Sequence, residues 1–71
     1  MKLKYYGILH IPSGKIVYSA YGEEYIISVF NSLGTYTLMK KPKTNQIEII
    51  LEKLSYHPVI EEFEICELDD V

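Results

Sequence analysis

Apolar and polar positions alternate with a period of two from the start of the chain. Leu3, Tyr5, Leu9 and Ile11 fall on one side of Gly7, and Lys2, Lys4, Tyr6, Ile8 and His10 on the other. Successive side chains of a strand point to opposite faces, so this pattern, rich in β-branched and aromatic residues, predicts a first strand. Pro12-Ser13-Gly14 reads as a turn, because proline fixes φ and glycine supplies the positive φ of a tight reversal. Alternation resumes from Lys15 to Tyr21, with Ile16, Tyr18 and Ala20 opposite Val17, Ser19 and Tyr21. An antiparallel hairpin follows. A one-residue slip would exchange its faces, so the pattern leaves open which tyrosines are core.

Residues 23–33 fit two templates. Tyr25-Ile26-Ile27 and Val29-Phe30 have strand propensity, yet Ile26, Val29, Phe30 and Leu33 lie at the i, i+3, i+4, i+7 spacing of a helix face. Two acids at the start and Gly34 at a C′ position favour the helix. A third strand is expected over Thr35–Lys40, with Tyr36 and Leu38 on one face. The next helix is signalled by Pro42, by Thr44 or Asn45 as cap, by the Asn45–Glu48 spacing, and by an apolar stripe of Ile47, Ile50, Leu51 and Leu54. Pro58 is expected to end it near Tyr56. A last strand is expected from Glu61 to Leu68, with Phe63 and Ile65 on one face and a bulge or change of packed face near Cys66. The expected architecture is a single α+β domain over residues 1–71: an N-terminal β-hairpin, then α-β-α-β, with an antiparallel or mixed sheet covered by one or two helices.

A chain of 71 residues buries only roughly 60–65% of its unfolded surface, so its core needs a supplement. Cys66 is the only cysteine, which excludes an internal disulfide, and two isolated histidines at 10 and 57 give no zinc-ligand spacing. A shared interface remains. Seven tyrosines and a 48% hydrophobic fraction favour a homodimer. The apolar run near the start is broken by Gly7, His10 and Pro12, and nothing approaches the ~18 apolar residues of a membrane span. A cytoplasmic protein with no membrane partner is expected.

Charge is divided along the chain. Residues 1–43 carry six lysines and two acids, and residues 44–71 carry one lysine and eight acids. Lys15, Lys40, Lys41 and Lys43 could meet phosphate or carboxylate groups. With Tyr6, Tyr18, Tyr21, Tyr25 and Tyr36 as stacking planes they would suit single-stranded RNA. The absence of arginine and the acidic second half disfavour that use. The same five tyrosines serve better as core and interface, where an apolar ring and a polar tip are both useful.

His10 lies near Ser13, but a catalytic pair needs an orienting group and an oxyanion hole, and no nucleophile-elbow motif is present. His57 sits before Pro58, where it suits a helix end. Cys66 has acids at 64 and 67, the opposite of the electropositive surroundings of a reactive thiolate. Glu62 and Glu64, as alternate residues of one strand, could hold Mg²⁺ with ATP in a ligase or transferase. Against this, the glycines at 7, 14, 22 and 34 are isolated and form no phosphate-binding loop. Acids on an edge strand also resist aggregation. No cofactor is therefore the first expectation, and an acidic strand could instead steer a second copy or a basic partner.

Lys4-Tyr5-Tyr6-Gly7-Ile8, Pro12-Ser13-Gly14-Lys15 and Glu64-Ile65-Cys66-Glu67 resemble the hairpin and closing strand of the small early and accessory proteins of T4-like bacteriophages. Length and opening are also similar to those of a phage modifier of suppressor tRNAs. These matches cover about a third of the chain and carry no catalytic residue. The resemblance implies an accessory protein in the host bacterial cytoplasm that alters RNA, translation or metabolism by binding a host protein. The runner-up is a small Mg-nucleotide enzyme or a tRNA-linked factor.

Overall fold

The structure, a computed structural model, describes residues 3–39, 44–54 and 59–68. Strands β1 (Tyr5–His10) and β2 (Lys15–Tyr21) are followed by helices α1 (Glu23–Met39) and α2 (Asn45–Glu52). A short 3₁₀ turn (Ile60–Glu62) then leads into β3 (Phe63–Glu67). The sheet has the order β2-β1-β3 and is antiparallel throughout. This is an α+β domain with an N-terminal hairpin, two helices and a three-stranded sheet.

Backbone pairing alternates along β1. Gly22 N–H donates to Lys4 O at 2.9 Å, whereas Leu68 N–H donates to Tyr5 O and Ile11 N–H to Glu62 O, both at 2.8 Å. Even positions of β1 therefore bond to β2 and odd positions to β3. The hairpin turn is closed by Gly14, at φ +70, whose N–H donates to His10 O. Gly22, at φ +99, turns the chain from β2 into α1.

The register of β1 and β2 shifts once: Ile8 faces Tyr18 but Leu9 faces Ile16, which leaves Val17 as an extra residue. This β-bulge corrects the expected faces. Val17, Tyr18 and Ala20 join the core side, and Ile16 moves to the other face. On β1 the core side is Tyr6, Ile8 and His10; on β3 it is Phe63 and Ile65, paired with His10 and Ile8.

Helix α1 buries Ile26, Val29 and Leu33 and packs Phe30 beside them, as the helix template expects. It does not stop at Gly34. The expected strand over Thr35–Lys40 is helical through Met39, and Lys40 lies outside the described residues. The Thr35 and Thr37 hydroxyls donate back to the carbonyls of Asn31 and Gly34, so β-branched residues are accommodated on the helix. Alternation there is also without a burial counterpart, since Leu38 and Met39 are both exposed. Gly34 lies in the helix interior, where a Cβ would stand 3.5 Å from Ile60 Cγ1.

Thr44 caps α2, accepting from Ile47 N–H at 3.2 Å. The alternative cap Asn45 is thus the first helical residue. Ile47 and Ile50 are buried, with Leu51 and Leu54 packed against the same core. The helix ends at Glu52, before the expected limit at Tyr56, which lies outside the described residues. The last strand starts at Phe63, because Glu61 and Glu62 belong to the 3₁₀ turn. Its pairing with β1 is continuous, without the bulge considered near Cys66. Leu68 packs on the other face of the sheet, over Gly7.

Candidate functional site

Both helices pack on one face of the sheet. The other face carries Tyr5, Gly7 and Leu9 from β1, Ile16, Ser19 and Tyr21 from β2, and Glu64, Cys66 and Leu68 from the β3 side, by pairing and alternation. Among these described residues Glu64 is the only charge. Tyr5 and Tyr21 stack across the strands with centroids 4.7 Å apart, and the Tyr5 hydroxyl donates to Ser19 Oγ at 2.7 Å. Gly7 lets Leu68 and Ile16 close over the central strand: a Cβ at residue 7 would lie 2.7 Å from Leu68 Cδ1 and 3.1 Å from Ile16 Cγ2. Tyr21 is 49% exposed and Ile16 36%. Leu3 and Ile11, beyond the ends of β1, are also exposed.

The five tyrosines singled out from the sequence do not form one surface. Only Tyr21 lies on the open face. Tyr6 packs on the core side and donates to Glu23 Oε2 at 3.1 Å; burial and that carboxylate raise its pKa. Tyr18 packs beside the core and lies 3.1 Å from the hydroxyl of exposed Tyr25, which also accepts from Gln46 Nε2 at 3.1 Å. The hydrogen bond shared with Tyr25, then burial, push Tyr18 up to about 12, while the bonds to Tyr18 and Gln46 lower Tyr25. Tyr36, on α1, packs against the core. Tyr5, Leu9, Ile16 and Leu68 were not singled out from sequence as contact residues; the signal available for them was a glycine in mid-strand, which marks close approach.

His10 is buried beside Phe63, at 1% exposure with ring centroids 5.0 Å apart. Its Nδ1 lies 2.7 Å from Ser13 Oγ and its Nε2 3.4 Å from Glu62 Oε1. With Nε2–H facing the carboxylate, Nδ1 accepts the serine proton, and hydroxyl, imidazole and carboxylate form a chain across the turn. Its nitrogens are used in the reverse order to a serine-hydrolase triad. The neighbouring amides already donate elsewhere: Gly14 N–H to His10 O and Ile11 O, and Lys15 N–H to Ser13 Oγ. The chain joins the hairpin turn to the 3₁₀ turn before β3.

Glu62 therefore approaches His10 on the core side, while Glu64 alternates onto the open face opposite Leu9. The strand pairing that would have placed both carboxylates on one face is absent. Among the described residues no group of three or more His, Cys, Asp or Glu is placed to hold a metal ion. Lys15 is exposed at the start of β2; Lys40, Lys41, Lys43 and His57 lie outside the described residues. Cys66 is half-buried and free, paired with Gly7. A surface groove of about 700 Å³ runs along α1 between Ser28, Ser32 and Thr35 and the Thr44 cap. Ser32 and Thr35 spend their donors on the helix backbone. No described helix is long and apolar enough to cross a membrane. No family model, curated protein or solved structure matches this chain.

Proposed function

We propose that this chain is a protein-interaction module that pairs with a second copy of itself through the hairpin side of its sheet. The supporting observation is the sheet face that no described element covers, where Tyr5, Leu9, Ile16, Tyr21 and Leu68 surround Gly7 with Glu64 as the one described charge. A sheet needs both faces shielded or one face polar, and here the second face is apolar. A second copy brings the same apolar surface at the same concentration, which makes it the occupant always available. A host protein, as the phage resemblance implies, is the competing occupant.

Sedimentation velocity over concentrations from about micromolar to about millimolar tests this reading. Expected is a concentration-dependent dimer that Ile16→Lys weakens while the far-ultraviolet circular dichroism is kept, since the lysine stem still covers Gly7. A wild-type chain that stays monomeric across the range overturns it.

A further inference from the structure

We infer that Ser13 is a base-assisted nucleophile: His10 takes the proton of its hydroxyl, so that the hairpin turn accepts an acyl group from an activated ester or thioester and keeps it. This goes beyond self-association and does not depend on it, because Ser13 lies in the turn and not on the open face.

Ser13 is exposed, yet its Oγ lies 2.7 Å from Nδ1 of an imidazole that is 1% exposed. That imidazole is held in place, since it belongs to the central strand and packs on Phe63 with ring centroids 5.0 Å apart. Glu62 Oε1 lies 3.4 Å from Nε2. An ionised carboxylate only accepts, so it favours the tautomer with the proton on Nε2 and leaves the Nδ1 lone pair facing the serine. The neutral imidazole is then a general base already at hydrogen-bonding distance from the proton it removes. Lys15 N–H also donates to Ser13 Oγ, at 3.3 Å, and supports that oxygen as charge develops on it.

The step balances with the ester as sole co-reactant. Ser13 Oγ attacks the carbonyl carbon as its proton passes to Nδ1, the bond to the leaving group breaks, and the leaving group departs with the bonding pair. The imidazolium then gives its proton to the leaving group or to water. An ester on Ser13 results. Its hydrolysis lacks support: Gly14 N–H donates to His10 O and Ile11 O, and Lys15 N–H to Oγ itself, so neither amide is aimed at a carbonyl oxygen. The turn is thus a modification site and not a hydrolase centre.

The test treats the whole chain with p-nitrophenyl acetate at neutral pH and reads acetylation site by site by peptide mass spectrometry, which separates serine from lysine adducts by position. Ser28, exposed on α1, is the reference within the same folded molecule. General-base assistance contributes roughly 10²–10⁴-fold where fully developed, so Ser13 should be acetylated at least about tenfold faster than Ser28. Across pH, the ratio of the two rates should follow the fraction of neutral His10 read from its imidazole NMR signals. Glu62 and Lys15, the residue paired with His10 on β2, are the charged groups described beside that ring. At an equal fraction of neutral imidazole, Glu62→Ala should lower the ratio at least about threefold, because the tautomer is no longer fixed; an unchanged ratio overturns that role of Glu62. A wild-type Ser13 acetylated no faster than Ser28, or at a ratio that ignores the His10 titration, overturns the inference without any variant and leaves self-association standing.

Discussion

His10 is the one buried polar residue of the described core, and replacing it with alanine measures what the imidazole does. Three losses can be separated. Removing a ring from a packed site leaves a cavity, at a cost of about 3 kcal/mol that already contains most of the contact with Phe63. The bond to Ser13, at 2.7 Å, contributes about 1 kcal/mol net. Glu62 at 3.4 Å adds little, and since Ser13 and the Glu62 side chain both reach solvent, water replaces the imidazole as their partner and no desolvation penalty remains. The expected loss is about 3–4 kcal/mol, a large share of the about 4–10 kcal/mol available to a chain of this size. Urea unfolding at neutral pH should show it as a lower midpoint at unchanged slope, and thermal unfolding as a drop of about 15–25 °C. Ser13→Ala should cost about 1 kcal/mol more in the wild type than in His10→Ala, where it loses only bonds to the turn backbone, a coupling of about 1 kcal/mol in the double-mutant cycle. A His10→Ala loss below about 1 kcal/mol, or an unchanged Ser13→Ala cost in both backgrounds, would refute the structural role of this chain of contacts.

Alkaline titration reads the Tyr18–Tyr25 bond. Tyr18 is pushed up to about 12, and a phenol that holds its proton more tightly when folded stabilises the fold below about pH 10 and loses that contribution as pH rises towards 12. Tyr25 is shifted down and acts with the opposite sign, so Tyr18→Phe should make the net loss of stability between about pH 10 and 12 shallower; absorbance of the phenolates checks the two ionisations, and an unchanged slope counts against the bond. Thr44→Ala removes the α2 cap and should cost about 1 kcal/mol in urea unfolding, whereas Asn45→Ala should cost less, because Asn45 lies inside the helix. Gly7→Ala should change stability by no more than about 1 kcal/mol, since the gain over a strand glycine offsets the displacement of the flexible Leu68 end and a small shift of the Ile16 γ-methyl. Methyl NMR should show both side chains shifted, and a loss beyond about 2 kcal/mol would mean that they are held in place.

The hairpin, the apolar stripe of α2 and the Phe63–Ile65 face were legible because each expresses one period over several residues with a turn or cap at its end. The expected strand over Thr35–Lys40 fails for the same reason: a short stretch of alternating character competes with a helix face already running through Leu33. Its threonines hydrogen-bond to the helix they sit on, a local compensation that propensity does not register. Tyrosines were grouped by chemistry, but alternation distributes them, so Tyr6 and Tyr18 pack on the helix side while Tyr5 and Tyr21 stack on the other. The Glu62–His10 contact joins residues 52 positions apart. Nothing local encodes it.

The bulge at Val17 links the core to the open surface. A regular strand would place Val17 with Ser19 and Tyr21 and leave Ile16 on the helix side with Tyr18 and Ala20. With one extra residue, Val17 is fully buried beneath the helices and Ile16 closes over Gly7 on the other face. Restoring regular pairing by deleting Val17 would remove a core side chain and also redirect Ile16 and Lys15. The irregularity also falls before the midpoint of β2, between the partners of Ile8 and Leu9, so the segment from Tyr18 to Tyr21 keeps regular pairing with β1. Bulges usually blunt an edge by twisting it away. Placed near the start of the strand, this one acts beside the turn and leaves Tyr18 to Tyr21, with the Tyr5–Tyr21 stack, in regular register with β1.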